Sequence, residues 1–313
     1  MPPAGMHYTV NKIDIAAPVE TVYGIIAQAT RWPQYFAPTV HVEQTPLGPG
    51  TERLRIWATG NGVLRSWTSL RTLEPASGRV SFRQEVSAPP VKSMSGTWTV
   101  RQDPSGQVRL MLEHDFEAVG DDPASVGWIT RGTEQNSTTE LGNIKRIAEG
   151  WDDIQDREFT FEDSVLVRGS GGAVYDFLYD AARWPQRLPH VASLDLREED
   201  EGLQLMTMRT KAKDGSTHAT ESARVCFPGR SIVYKQTATP ALIAAHTGEW
   251  LIEPRGDGVL VTSRHTVVLR EEALGALTAA GSTWASTRAF VRDSIGGNSR
   301  ATLAFAKEFA ELR

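Results

Sequence analysis

Cysteine is almost missing: Cys226 is the only one in 313 residues, which excludes an intramolecular disulfide and any zinc site built on several thiolates. A lone cysteine of this kind reads as a small buried hydrophobe. The seven histidines are scattered, without the His-x-x-x-His or Cys-x-x-Cys spacing that brings ligands onto one ion, so no metal is expected. No block of Lys and Arg interleaved with aromatics occurs and the net charge is −5, which excludes the electrostatic footprint of a nucleic-acid or anionic-membrane binder. Nor is there an apolar run long enough to cross a bilayer or a basic, apolar leader, and a cytoplasmic protein is expected.

What is there is an ordinary globular composition, 40% hydrophobic and 23% charged, in a chain of a length that suits two domains. The sequence repeats itself. Arg31-Trp32-Pro33-Gln34 returns as Arg183-Trp184-Pro185-Gln186, and Asn61-Gly62 pairs with Asp214-Gly215. Ser69-x-Arg71 with Pro75 pairs with Ser222-x-Arg224 with Pro228, Gly96-x-Trp98 with Gly248-x-Trp250, His114 with His265, and Gly142-Asn143 with Gly297-Asn298. The order is the same throughout and the separations run from 151 to 155, so a duplicated domain is expected.

In the first copy an alternating strand near 8–15 precedes a short apolar-periodic helix opened by Pro18 and Glu20. After a turn broken by Pro33 and Pro38 come β-rich runs near 40–46, 51–59, 63–74, 79–87, 93–102 and 106–118, joined by Gly- and Asn-containing turns. A long helix over about 123–151 closes the copy, and one over about 271–312 closes the second. The expected domains are 1–152 and 153–313, each an α+β unit with a curved antiparallel sheet around its last helix and a cavity between them.

Strand alternation puts Trp67, Ser69 and Arg71 on one face, and Thr220, Ser222 and Arg224 on the matching one. His114 and His265 fall on apolar, inward rows. On the last helix Trp284, Val291, Ile295, Thr302, Phe305, Phe309 and Leu312 form a stripe with Asn298 in its middle, and Asn143 lies at the edge of the equivalent stripe.

With Trp32-Pro33 and Trp67-x-Ser69-x-Arg71 in place, the sequence resembles the aromatase/cyclases of bacterial type II polyketide synthases, over nearly the whole chain and twice. The resemblance implies a tandem helix-grip fold of the START and Bet v 1 kind, and an enzyme without cofactor. It also implies partners: an acyl carrier protein bearing a poly-β-ketone chain, and the other synthase components. The family's pocket Arg lands on Arg71 and Arg224, its Ser on Ser69 and Ser222, and its helix Asn on Asn143 and Asn298. Its strand Trp lands on Trp67, where the second copy has Thr220, and its early-helix aromatic on Phe36, where the second copy has Leu188. Trp32, Trp98, Trp184 and Trp250 complete the implied aromatic walls.

Aldol closure and dehydration pass through an enolate, which a fixed guanidinium with a neighbouring hydroxyl stabilises. Proton transfer calls for a titratable partner, and His114 and His265 are the inward candidates. The plainer readings stand beside these: an inward Arg as a buried ion-pair partner, an inward His as a satisfied core residue, the Trp residues as packing. Ser170-Gly171-Gly172 reads as a helix start, since it lacks a P-loop's Lys-Ser/Thr ending. A non-enzymatic carrier or sensor of a hydrophobic small molecule is the alternative function, because one fold serves many.

Overall fold

The computed structural model describes residues 5–60, 62–211, 215, 217–276, 278 and 281–312. Asn61 and Asp214 of the paired turns lie outside the described residues; Gly62 and Gly215 after them both have positive φ, 76° and 84°, as hairpin turns between twisted strands require.

The first half runs β1 (His7–Ile15), α1 (Val19–Ala27), α2 (Trp32–Tyr35), β2 (Thr39–Gly48), β3 (Thr51–Gly60), β4 (Val63–Glu74), β5 (Arg79–Gln84), β6 (Val91–Gln102), β7 (Val108–Ala118) and α3 (Pro123–Glu149). A short helix α4 (Trp151–Arg157) leads to the second half: β8 (Glu158–Val167), α5 (Gly171–Tyr179), α6 (Trp184–Arg187), β9 (Val191–Asp200), β10 (Leu203–Lys211), β11 (Thr217–Phe227), β12 (Ser231–Ala238), β13 (Ile243–Arg255) and β14 (Gly258–Leu269). It ends in α7 (Ala273–Ala276) and α8 (Trp284–Glu311). Each half is one seven-stranded antiparallel sheet, in orders β1-β7-β6-β5-β4-β3-β2 and β8-β14-β13-β12-β11-β10-β9. Packing divides the chain into two compact units, of which the first holds the run 66–153 and the second the run 154–313.

Local chemistry places the helices. Val22, Ile25 and Ile26 bury one face of α1, each side chain contributing about 1.5 to 3 kcal/mol. The Asp122 side chain accepts from Ser125 N to cap α3, behind which Pro123 sits where no N–H is needed. The single helix expected over 271–312 is instead interrupted: α7 stops at Ala276, Gly281 has φ 84°, and a reciprocal cap between Thr283 and Ser286 starts α8 at Trp284. Its buried stripe sets small residues, Gly296, Ser299, Ala306 and Ala310, among Val291, Thr302 and Leu303, and Leu312 at its end is 80% exposed.

The paired Gly-x-Trp motif has a steric cause. A Cβ on Gly96 would lie 2.6 Å from the ring of Phe82 and 2.6 Å from the Glu113 carbonyl, and one on Gly248 would lie 2.2 Å from the ring of Tyr234. Glycine lets that aromatic ring lie across the neighbouring strand. Gly96→Ala is therefore expected to destabilise the protein by about 1 to 3 kcal/mol, the usual cost of overpacking; a urea midpoint unchanged from wild type would contradict this. No described helix is long and apolar enough to cross a membrane.

Candidate functional site

Antiparallel register assembles one inward row in each half. In the first it reads Arg71 on β4, Phe82 on β5, Gly96 on β6, His114 on β7 and Thr9 on β1, each paired with the next across the sheet. In the second it reads Gln204, Arg224, Tyr234, Gly248, His265 and Phe161. The inward Arg and His of each half thus lie on one line with an aromatic ring and a glycine between them.

Each Arg serves first as a clasp. Arg71 is 3% exposed; its Nη1 and Nη2 donate to the carbonyls of Ile26 and Ala27 at the end of α1, at 3.3 and 2.9 Å. Cations are favoured there because a helix C-terminus carries partial negative charge. The guanidinium stacks over Trp32 at 5.3 Å, and Trp32 Nε1 donates to Ile25 O at 2.9 Å. Arg224 repeats this, with Nη2 donating to Leu178 O at 2.6 Å, Trp184 beneath it at 5.3 Å and Trp184 Nε1 donating to Phe177 O at 3.1 Å. The Trp of the repeated tetrapeptide, with the end of the preceding helix, is accordingly the socket for the strand Arg.

The two clasps differ in charge. Arg71 Nε lies 3.2 Å from Glu52 Oε1, a carboxylate that is itself buried and accepts from Gln44. Burial lowers the Arg71 pKa while Glu52 and Tyr23 oppose that shift, and the group stays cationic. In the second half Gln204 stands opposite Arg224, and the carboxylate is one strand further, on Glu198, which accepts from Gln204 Nε2 at 2.9 Å, from Gly202 N at 2.7 Å and from the Tyr179 hydroxyl. Arg224 Nη1 is buried with no hydrogen-bond partner among the described residues.

The histidines differ more. His114 is half-buried, touches the Ser137 hydroxyl at 3.5 Å through Nδ1, and meets Phe82 edge to face; burial pushes its pKa down to about 4. His265, 1% exposed, is saturated: Nδ1 lies 3.0 Å from His246 Nε2 and 3.3 Å from the Tyr234 hydroxyl, and Nε2 lies 2.9 Å from both Ser263 and Ser299. Burial, with Arg292 nearby, lowers it to about 3. Both imidazoles are neutral near pH 7.

Two groups emerge that strand reasoning missed. Ser137 and Ser299 bring the last helix of each half onto its histidine. Glu140 shares the inward face of α3 with Ser137, Leu141 and Ile144, one turn beyond the serine. It makes no hydrogen bond or ion pair to any described residue, and desolvation raises its pKa to about 7. A charged residue on a polar helix reads as solvated, which hid it; the spacing 137, 140, 141, 144 was the available signal.

The helix asparagines require a correction. Lys145 donates to Asp14 O at 2.7 Å and Glu149 accepts from Ala16 N at 2.8 Å, while Lys307 donates to Leu166 O at 2.8 Å and Glu311 accepts from Arg168 N at 2.7 Å. The closing helices therefore correspond 162 positions apart, not 155, and Asn298 matches Asn136 rather than Asn143. A slip of seven residues is about two turns and returns to the same face, so the apolar stripe alone does not detect it. Asn143 and Asn298 are both half-buried, with no side-chain hydrogen bond to a described residue.

The other stated residues are spread out. Ser69 is buried and donates to Arg83 O at 3.2 Å; Ser222 is buried beside its Arg. Trp67, within β4, is 38% exposed, whereas Trp98 and Trp250 are 5% exposed in the core and Phe36 stands edge to face against Trp32. A groove of about 450 Å³ runs between β8 and α8, lined by Val165, Leu303 and Lys307 among others, and no residue of the Arg-to-His rows lines it.

A family model described as "Polyketide cyclase / dehydrase and lipid transport" matches residues 6–149, and a second of the same description matches 172–289. The chain is 39% identical over 312 residues to the granaticin polyketide synthase bifunctional cyclase/dehydratase of Streptomyces violaceoruber, covering 99% of this chain and 96% of that one. It is 41% identical to the actinorhodin polyketide synthase bifunctional cyclase/dehydratase of Streptomyces coelicolor, with 96% of each covered. Among solved structures, the di-domain ARO/CYC BexL from the BE-7585A biosynthetic pathway superimposes with a TM-score of 0.90 at 46% identity, covering 98% of this chain and 99% of that one.

Proposed function

The chain belongs to the polyketide cyclase/dehydrase family, and on that footing we propose that it is an aromatase/cyclase that folds a poly-β-ketone chain, closes its first ring and removes water from it. The two halves act as domains 1–152 and 153–313, and the reaction centre is in the first. What supports this is a half-buried His114 hydrogen-bonded to Ser137, with Glu140, which has no partner among the described residues, one helical turn beyond that serine.

Dehydration needs a base to take the proton α to a ketone and an acid to give a proton to the departing hydroxyl. With His114 at about 4 and Glu140 at about 7, the populated state between those values is neutral imidazole with carboxylic acid. His114 therefore accepts the carbon proton and Glu140 protonates the hydroxyl, which leaves as water as the C–O bond breaks. Arg71 stands on the same row with its charge set in place by Glu52; the N–H groups not spent on α1 polarise the ketone as its oxygen gains charge. Partly exposed Trp67 and Phe36 beside Trp32 shape the passage of a flat product. In the second half the imidazole is sealed, and buried Thr302 takes the place of Glu140, which supports a supporting rather than reactive role for that domain. The substrate reaches the site on an acyl carrier protein, in the cytoplasm, beside the other components of a type II synthase.

The test is product analysis with a minimal synthase and the full-length protein. His114→Ala is expected to lower aromatised product at least tenfold, and His265→Ala to leave the product pattern as in wild type once folding is matched. Aromatisation unaffected by His114→Ala and abolished by His265→Ala would reverse the assignment of domains.

A further inference from the structure

The same histidine, opposite the same glycine, has one hydrogen-bond partner among the described residues in one half and four in the other, and three neighbouring positions account for it. By register Phe82 corresponds to Tyr234, Met94 to His246 and Leu112 to Ser263. The ring at the first position is held alike in both halves: Phe82 meets His114 at 5.6 Å and 75°, Tyr234 meets His265 at 6.4 Å and 74°. Only the hydroxyl differs, and in the second half it reaches the imidazole.

A neutral imidazole has one N–H donor and one acceptor nitrogen, and a general base must present the acceptor to its substrate. In the second half His265 is surrounded on both nitrogens by Tyr234, His246, Ser263 and Ser299, so a reacting carbon acid would have to displace bonds already made. In the first half Nδ1 faces Ser137, and Phe82, Met94 and Leu112 offer nothing to compete for Nε2.

We propose that Phe82 and Met94 are positioning residues of the first site, which keep His114 reactive by withholding hydrogen bonds from it. A polar group at these positions turns a catalytic imidazole into a core imidazole, as the second half illustrates. The inference rests on the reading that His114 is the base, and its test separates the two.

Phe82→Tyr, Phe82→Leu and Phe82→Tyr/Met94→His are made in the full-length protein and compared with His114→Ala. The readouts are kcat and KM for aromatised product and the 15N-detected titration of His114. Phe82→Tyr is expected to lower kcat about tenfold and the double variant about a hundredfold, with KM within about twofold and the His114 nitrogen shifts moving to those of a hydrogen-bonded acceptor. Phe82→Leu, which adds no hydroxyl, is expected to keep most of kcat. Wild-type kcat in Phe82→Tyr, or an equal loss in Phe82→Leu, overturns the proposal while a large loss in His114→Ala leaves the underlying reading standing. Wild-type kcat in His114→Ala overturns both.

Discussion

Glu140→Gln is expected to slow dehydration by about 10² to 10⁴-fold, the usual contribution of a positioned acid, while ring closure continues and a hydrated cyclic product accumulates. Gln keeps the shape of the side chain and loses the transferable proton. The pH profile supplies a second readout. Wild-type dehydration needs neutral His114 and protonated Glu140, so the rate forms a bell that rises through about 4 and falls through about 7. In Glu140→Gln the alkaline fall disappears, because the amide does not titrate. Stability moves with the same group. A carboxyl raised in the folded state holds its proton after the unfolded chain has released one, so its contribution is complete below the unfolded pKa near 4.5 and is lost as pH rises through about 7. The wild-type melting temperature should consequently decline between about pH 5 and 7 more steeply than that of Glu140→Gln. Full-rate dehydration by the variant would remove Glu140 from the mechanism.

Arg71→Met should destabilise the protein by about 3 to 5 kcal/mol, because it strands the Glu52 carboxylate without its cation in a buried setting. Arg224→Met should cost only about 1 to 3 kcal/mol, since Gln204 opposite it is neutral and Glu198 is satisfied by Gln204, Gly202 and Tyr179. What it loses is the bond to Leu178 O and the stack on Trp184. Removing both charges, in Arg71→Met/Glu52→Gln, is expected to regain a large part of the first loss, as a neutral pair does not need compensation. Chemical denaturation of the three variants decides the matter: equal costs at Arg71 and Arg224, or no recovery in the double variant, would show that Glu52 does not govern the first clasp.

The clasps also show where reading a sequence stops. Trp32 and Trp184 were visible as a repeated word, yet nothing in the word says that an indole N–H closes onto the preceding helix and an Arg from a distant strand lies over the ring. Glu140 was passed over because a carboxylate among Thr, Glu and Gln on a helix has the composition of a wetted surface. Asn143 was matched to the wrong residue because helical periodicity is blind to a shift of two turns; the lysine and glutamate that bind the first strand of each half settle the correspondence.

By itself the sequence determined the duplication, the alternation that turns Arg71, His114, Arg224 and His265 inward, and the order of strands and closing helix. These are properties of one segment at a time, carried by a period of two or of about three and a half residues. Only the tertiary structure decided which strand residues stand side by side, that Glu52 neutralises one Arg while its counterpart has moved to Glu198, and that one imidazole is open where the other is enclosed. Those outcomes depend on register between segments far apart in the chain, and a shift of one residue along a strand would change every neighbour without altering the pattern from which the strand was read.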